Sequence, residues 1–581
     1  MHGNGKLEWF DGKLYIGQFQ NNQMHGYGRM ENPVIGIYEG QWKDNLQNGK
    51  GAMKYTCGDI YEGYFKDGLP HGHGVRKQGH FMASAASVYI GEWVAGTKYG
   101  YGVMDDIVTG EKYLGNWLDS KKHGCGLIVT SDGIYYEGVF SQDVLTGHGL
   151  MIFDDGTHYE GEFRAAGKFN GKGVLTLNSG DKIEGCLTGS WNEGIKISTG
   201  TLHLAASKTA ATTKPKSFGK LCVNSNQKWK AIFRLCYQLL GVPEPNSKNN
   251  NKVPETQKIW QNVAVSISNF RQGTLMKGDK KNKKQMQREQ LDLIPQFCRD
   301  KIDSDSVREL KLYLIKAFDS PHHPLGSLLT DVTEAYTATY GGVRVHPLLL
   351  NDAVSELHSI IIRIYEIVRL LFPALPVYGK EIPLNEDDES DSVSCAALLH
   401  PIMLPKVYSA LFILYALHNK QEDCVYWKRL LEWNKQSDFT LMAFLTVDQK
   451  FWTCQDVKNS QEPQFSPIKD QMFTKAVETL QQLKTTFSPF EKLLVIRQTF
   501  QNMTSTVQSQ LGADYRWTMD DLFPVFHFVV VRARILQLGS EIHFIEDFME
   551  PNLQNGELGI MFTTLKACYY QILQEKSTIN N

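Results

Sequence analysis

"YEGYFKDGLPHGHG", residues 61 to 74, contains the pattern that decides the fold. Tyr61, Gly63 and Phe65 alternate with their neighbours, a period of two that reads as a strand with one face buried. "KDGLP" then supplies a polar, glycine-containing turn, and a second short strand returns through "HGHG", so the stretch predicts a hairpin.

The same unit recurs. It begins at Tyr15 ("YIGQF"), Tyr38 ("YEGQW"), Tyr61, Tyr89 ("YIGEW"), Tyr113 ("YLGNW"), Tyr136 ("YEGVF") and Tyr159 ("YEGEF"), every 23 or 24 residues apart from one gap of 28 after Tyr61. A degenerate eighth copy starts at Ile183 ("IEGCL"). A lone hairpin cannot bury its aromatic face, whereas stacked neighbours cover one another, so the period predicts an elongated all-β hairpin-repeat array. The glycines permit positive φ and close backbone approach. His25, His71 and His123 recur with the fold period in "HGYG", "HGHG" and "HGCG". No carboxylate accompanies them at a fixed offset, so they read as structural and no metal site is expected. The array opens in mid-pattern at "HGNG", which leads us to expect sequence upstream.

The 581 residues exceed what one hydrophobic core serves, so several domains are expected. A charged fraction of 21% with net charge −2 argues against bulk attraction to nucleic acid. The ten cysteines are scattered singly, without a C-x-x-C pair, which suits a reduced, intracellular protein. The most apolar stretches, "VYSALFILYAL" and "VFHFVVV", look shorter than the ~18 to 20 residues of a spanning helix, so any membrane contact is expected to be peripheral. There is no Walker-type phosphate loop, G-x-S-x-G elbow or metal-ligand pair. "SPHHPLG", with His322 and His323 between prolines, reads as a turn between helices.

Past residue 199 the repeat vanishes. Residues 200–220 read as a linker, 221–422 as a helical region and 423–575 as a second helical domain, so the expected class is a β array followed by an all-α bundle. Val307, Leu310, Leu314 and Phe318 form one helical stripe; Val354, Leu357, Ile361, Ile364, Val368 and Leu371 form another, ending before Pro373. The basic stretch 276–288 and the acidic stretch 385–392 read as loops, the former able to attract anionic lipid. In "SPFEKLLVIRQTF", Ser488, Pro489 and Glu491 predict a capping box with proline at the first helical position. Phe473, Val477, Leu480 and Phe487 are expected on one face of the helix before it.

In "TMDDLFPVFHFVVVRARI", residues 518 to 535, two acids precede a nearly apolar run. Thr518 with Asp521 fits a capping box, and acids in a first helical turn suit the macrodipole. Pro524 would remove a backbone hydrogen bond and kink the helix, leaving the acids on an irregular element at the rim of a buried mount. A cap and an exposed functional carboxylate both remain open on these grounds.

The repeats over residues 1 to 199 resemble MORN (membrane occupation and recognition nexus) repeats, a family that implies a platform for association, oligomerisation or peripheral membrane contact. "DDLFPVFHFVVVRARI", "LGSEIHFIEDFM" and "GELGIMFTTLKACYY" resemble successive segments of the VPS-nine domain, which promotes nucleotide exchange on small GTPases of the Rab-five branch. The resemblance implies a regulatory exchange factor without cofactor or covalent chemistry, cytoplasmic and peripheral on early endosomes, with a Rab-five-type GTPase as partner and a homo-oligomeric state. A scaffold acting through its repeats is the alternative. Asp520 matches the family's invading acid, which engages the phosphate-loop lysine of the GTPase. Pro524 matches the proline of the loop-to-helix junction, and Thr563 the threonine of a G-Y-Y-F-T pattern. Ile560 and Met561 stand where that pattern has tyrosines, leaving apolar contact in place of a tyrosine hydroxyl. Thr518 and Asp521 keep the capping role.

Overall fold

A computed structural model describes residues 1–79, 86–190, 193–204, 223–245, 255–275, 303–384, 392–452 and 473–575, together with 291, 294, 295 and 297. They form two compact units, Met1–Leu375 and Pro376–Asn581, dividing within the stretch 221–422 that the sequence assigns to one helical region. The basic stretch 276–288 and most of the linker and the acidic stretch lie outside the described residues.

The first unit is built on one antiparallel sheet of seventeen strands, from β1 (Gly3–Glu8) to β17 (Gly194–His203), each paired with its neighbours in sequence. The hairpin expected at residues 61 to 74 is β6 (Ile60–Lys66) and β7 (Leu69–Gln78), with Gly63 directly opposite Gly74. The turn between them has φ of 50° at Asp67 and 84° at Gly68, the positive pair that lets a two-residue hairpin follow the strand twist.

The glycine pair has a steric cause. The fully buried Tyr61 ring lies over both glycines, so that a Cβ on Gly74 would stand 2.3 Å from Tyr61 Oη. That hydroxyl donates to the Tyr64 carbonyl at 3.0 Å. Tyr15, Tyr38, Tyr89, Tyr113 and Tyr159 cover their own glycine pairs in the same way. The rings meet edge to face within and between rungs: Tyr61 lies 5.0 Å from Phe65 of its own strand and 5.3 Å from Trp93 of the next repeat, a favoured geometry for the aromatic quadrupole.

On the opposite sheet face, α1 (Lys230–Leu240), α2 (Thr256–Leu275) and α4 (Pro324–Tyr340) contact strands, with α3 (Ser304–Asp319) packed on α4 and α5 (Leu349–Leu371) on α2. Lys50 reaches Asp331 at 3.3 Å, the buried Lys112 Nζ donates to the Gly341 carbonyl at 2.8 Å, and Arg344 Nε donates to Asp105 at 2.6 Å. Glu356 on α5 ties this layer together by accepting from Lys228 Nζ at 2.8 Å, Trp229 Nε1 at 2.7 Å and Tyr340 Oη at 2.7 Å. The α3 stripe is buried as expected, as is the α5 stripe except for the half-buried Val354. His323 caps α4, its Nδ1 accepting from the Leu325 amide at 3.1 Å, so "SPHHPLG" is the expected turn.

In the second unit α7 (Lys420–Trp433), α8 (Asp438–Phe444), α9 (Thr474–Gln481), α10 (Pro489–Leu511), α11 (Met519–Ala533), α12 (Leu538–Phe548) and α13 (Glu557–Gln574) pack around one core, and α6 (Cys395–His418) packs against α7 and α12. Three expectations need correction. Ser488 precedes α10 with Pro489 at its first position, but the buried Ser488 hydroxyl makes no capping bond; its carbonyl accepts from Lys492 N at 3.0 Å instead. Phe473 is the N-cap of α9, with φ of 57°, and is buried in the same core as Leu480, whereas Phe487 lies beyond that helix and is 39% exposed, so it does not share the buried face. Finally, α6 runs for 24 residues, long and apolar enough to cross a membrane, because it continues through Pro401 and Pro405; its most apolar window has mean hydropathy 1.6 and is 61% buried within the protein.

Candidate functional site

The site is built on α11. Its second half, from Val525 to Ala533, is buried throughout, so the helix is a fixed post within the bundle. Phe526 stacks on Phe500 of α10 at 4.3 Å, and the buried Arg532 pairs with Asp438 of α8 at 2.6 Å. The His527 ring is buried between Trp433 and Phe523, and burial pushes its pKa down to about 4.

The first turn projects from this post. Thr518 is the N-cap in extended conformation, and its hydroxyl accepts from the Asp521 amide at 3.3 Å. Helical geometry persists through Pro524, contrary to the expected break. Only one ladder bond is lost, the one that residue 524 would donate to the Asp520 carbonyl. Asp520 therefore remains in the first helical turn.

The two acids have different surroundings. Asp521 accepts from Lys450 Nζ at 2.7 and 2.8 Å and from Tyr515 Oη at 2.9 Å. Partial burial would raise its pKa, but the bonds from Lys450, Tyr515 and Thr518 prevail and hold the carboxyl below its usual range. Burial and the bond to Asp521 together push the Tyr515 pKa up to about 12. Asp520 is exposed and makes no hydrogen bond or ion pair with the described residues. Met519 beside it is 60% exposed.

The second element is α13, which contacts α11. Gly559 is required there because a Cβ would stand 2.0 Å from the Gln554 carbonyl of the preceding 3-10 turn. Ile560 is 60% exposed, Met561 is half-buried against the core, and Thr563 is exposed with its hydroxyl donating to the Gly559 carbonyl at 2.8 Å. Phe523, one turn after Asp520, and Ala567, one turn after Thr563, line one open depression with Tyr570 and Gln571. The structure thus gathers the start of α11 and the exposed stripe of α13 on neighbouring elements. Thr518 caps as expected, while the Asp521 carboxylate goes chiefly to a lysine the sequence reading missed. Lys450 lies 71 residues upstream, and no local spacing signals the pairing. Among the described residues no cluster of ligating side chains could hold a metal ion.

Three families match in succession. Eight MORN repeats lie between residues 1 and 182, the alsin helical array domain matches 216–412, and the vacuolar sorting protein 9 (VPS9) domain matches 473–577. Mouse and human alsin are each 43% identical over 610 aligned residues, 99% of this chain and 36% of theirs, so the chain spans about a third of these relatives. Human ALS2 C-terminal-like protein is 37% identical over 269 residues, 46% of this chain and 28% of that protein. With MORN repeats, an alsin helical array and a VPS9 domain matched in that order, the chain is similar to alsin over 99% of its own length.

Proposed function

We propose that the second unit is a guanine-nucleotide exchange factor for a Rab-five-type GTPase in early endosomal traffic, and that the MORN sheet serves oligomerisation or placement on the endosomal membrane. A VPS9 domain implies exchange on Rab-type GTPases. The observation that carries the finer reading is the contrast between the acids: Asp520 is an exposed carboxylate on the end of a buried helix, and its neighbour is already paired.

A carboxylate brought to the nucleotide site competes with the β-phosphate for the phosphate-loop lysine and disturbs the magnesium ion. GDP leaves faster, and GTP refills the site. No covalent bond changes. The acceleration comes from holding the nucleotide-free GTPase more tightly than the loaded form. Ile560, Met561 and Thr563 supply contact beside the acid, with Pro524 shaping the turn that presents it.

The test is release of a fluorescent GDP analogue from a purified Rab-five-type GTPase with and without the chain. Asp520→Ala removes no bond within the fold, so it should leave unfolding unchanged and lower the exchange rate by about 100-fold, the scale for losing one preorganised electrostatic contact. Full acceleration by the folded variant would refute the role given to Asp520.

A further inference from the structure

Lys450 lies outside the matched VPS9 segment, yet it reaches the turn that presents Asp520. It sits on a 3-10 turn, Gln449–Phe451, whose N-cap Asp448 accepts from the Lys450 amide at 3.0 Å. The buried Phe451 fixes this turn to the chain leading into α11: its ring stacks on Trp517 at 5.5 Å and meets Tyr515 at 6.0 Å. Trp517 Nε1 in turn donates to Thr504 of α10 at 2.9 Å. Tyr515 and Lys450 then both donate to Asp521.

From this arrangement we infer that Lys450, with Tyr515, is a positioning residue for nucleotide exchange, clamping the first turn of α11 through Asp521 so that Asp520 alone is presented as an uncompensated carboxylate. The inference rests on the exchange function proposed for the second unit.

Two physical points support it. Pro524 leaves the Asp520 carbonyl without its ladder bond, so the turn depends more on its side chains for a fixed direction. Two free carboxylates on adjacent residues would also repel each other and offer the GTPase lysine two competing partners, and the Lys450 ammonium removes one of them. Lys450 is one-third exposed, and such ion pairs add little to stability, so holding the fold together does not account for it.

The 581-residue chain and its Lys450→Met, Lys450→Arg and Asp520→Ala variants are compared for GDP release from a Rab-five-type GTPase over a range of GTPase concentrations, with unfolding midpoints and amide exchange at Leu522 and Phe523. Lys450→Met should lower kcat roughly tenfold, with KM within about twofold, because a reacting group displaced by about 1 Å costs about 100-fold and loosening the clamp displaces it only part of the time. The Leu522 and Phe523 amides should exchange faster at an unchanged unfolding midpoint, and Lys450→Arg should restore kcat. If wild type and Lys450→Met are equally active while Asp520→Ala is not, the positioning role is overturned and the exchange reading stands. If the wild type fails to accelerate release, the exchange reading itself falls, and the positioning role with it.

Discussion

Gly74→Ala is a direct test of the rung that repeats through the sheet. The added Cβ would lie 2.3 Å from Tyr61 Oη, 2.6 Å from Cζ and 2.7 Å from Cε2. Carbon atoms in contact sit about 3.5 to 4.0 Å apart, so the ring must retreat by about 1 Å. It has little room, being fully buried between Phe65 at 5.0 Å and Trp93 at 5.3 Å. Retreat strains the bond to the Tyr64 carbonyl, about 1 kcal/mol, and weakens edge contacts of about 0.5 to 1.5 kcal/mol each. With overpacking strain of about 1 to 3 kcal/mol, the expected loss is about 3 to 5 kcal/mol. Gly147→Ala is the control: Gly147 has φ of 75° but nothing within 4 Å of its Cβ position, so backbone strain of about 1 to 2 kcal/mol is all it should cost. Native-state hydrogen exchange on the full chain reads the opening free energy strand by strand, at β6 and β7 for Gly74 and at β13 (Val144–Ile152) for Gly147. A Gly74→Ala loss no larger than that of the control would refute the steric account of the glycine pair.

Two further outcomes follow from buried charge. Glu356→Gln leaves the buried Lys228 ammonium without its counter-charge and should destabilise the first unit by about 3 to 5 kcal/mol in thermal unfolding, whereas adding Lys228→Met to Glu356→Gln should recover part of that, because the amide can still serve Trp229 Nε1 and Tyr340 Oη. His527 has its pKa lowered by burial to about 4, with Glu575 opposing. A base depressed in the fold stays neutral there while the unfolded chain takes up a proton, so its contribution to stability is intact above pH 6.5 and is lost as pH falls toward 4. The full loss is about 3 kcal/mol, and His527→Phe should flatten that part of the pH–stability curve followed by circular dichroism.

How much of this was legible depended on whether the cause was local. The Tyr-x-Gly repeat announced its strands because period two and a recurring aromatic are properties of a few neighbouring residues, and the α3 stripe was legible at its own period for the same reason. The partners were not legible. Lys50, Lys112 and Asp105 look like ordinary solvated strand residues, yet they meet Asp331, Gly341 and Arg344 more than two hundred residues later. Ser488 shows the converse failure: a capping pattern correct in sequence, whose hydroxyl lies buried without a partner among the described residues while its carbonyl starts the helix.

Asp520 and Asp521 combine both cases. They are chemically identical, adjacent and in the same helical turn, so no property of the dipeptide separates a structural acid from a functional one. The separation comes from Lys450 and Tyr515, which approach one carboxylate and leave the other exposed. If that pairing assigns the roles, removing Lys450 should do more than loosen the turn. It should leave Asp521 without its counter-charge, held only by the Tyr515 hydroxyl, and part of the activity lost in Asp520→Ala should return in Asp520→Ala with Lys450→Met. A double variant as inactive as Asp520→Ala alone would mean instead that the direction of the α11 turn, and not the pairing of charge, selects the acid that acts.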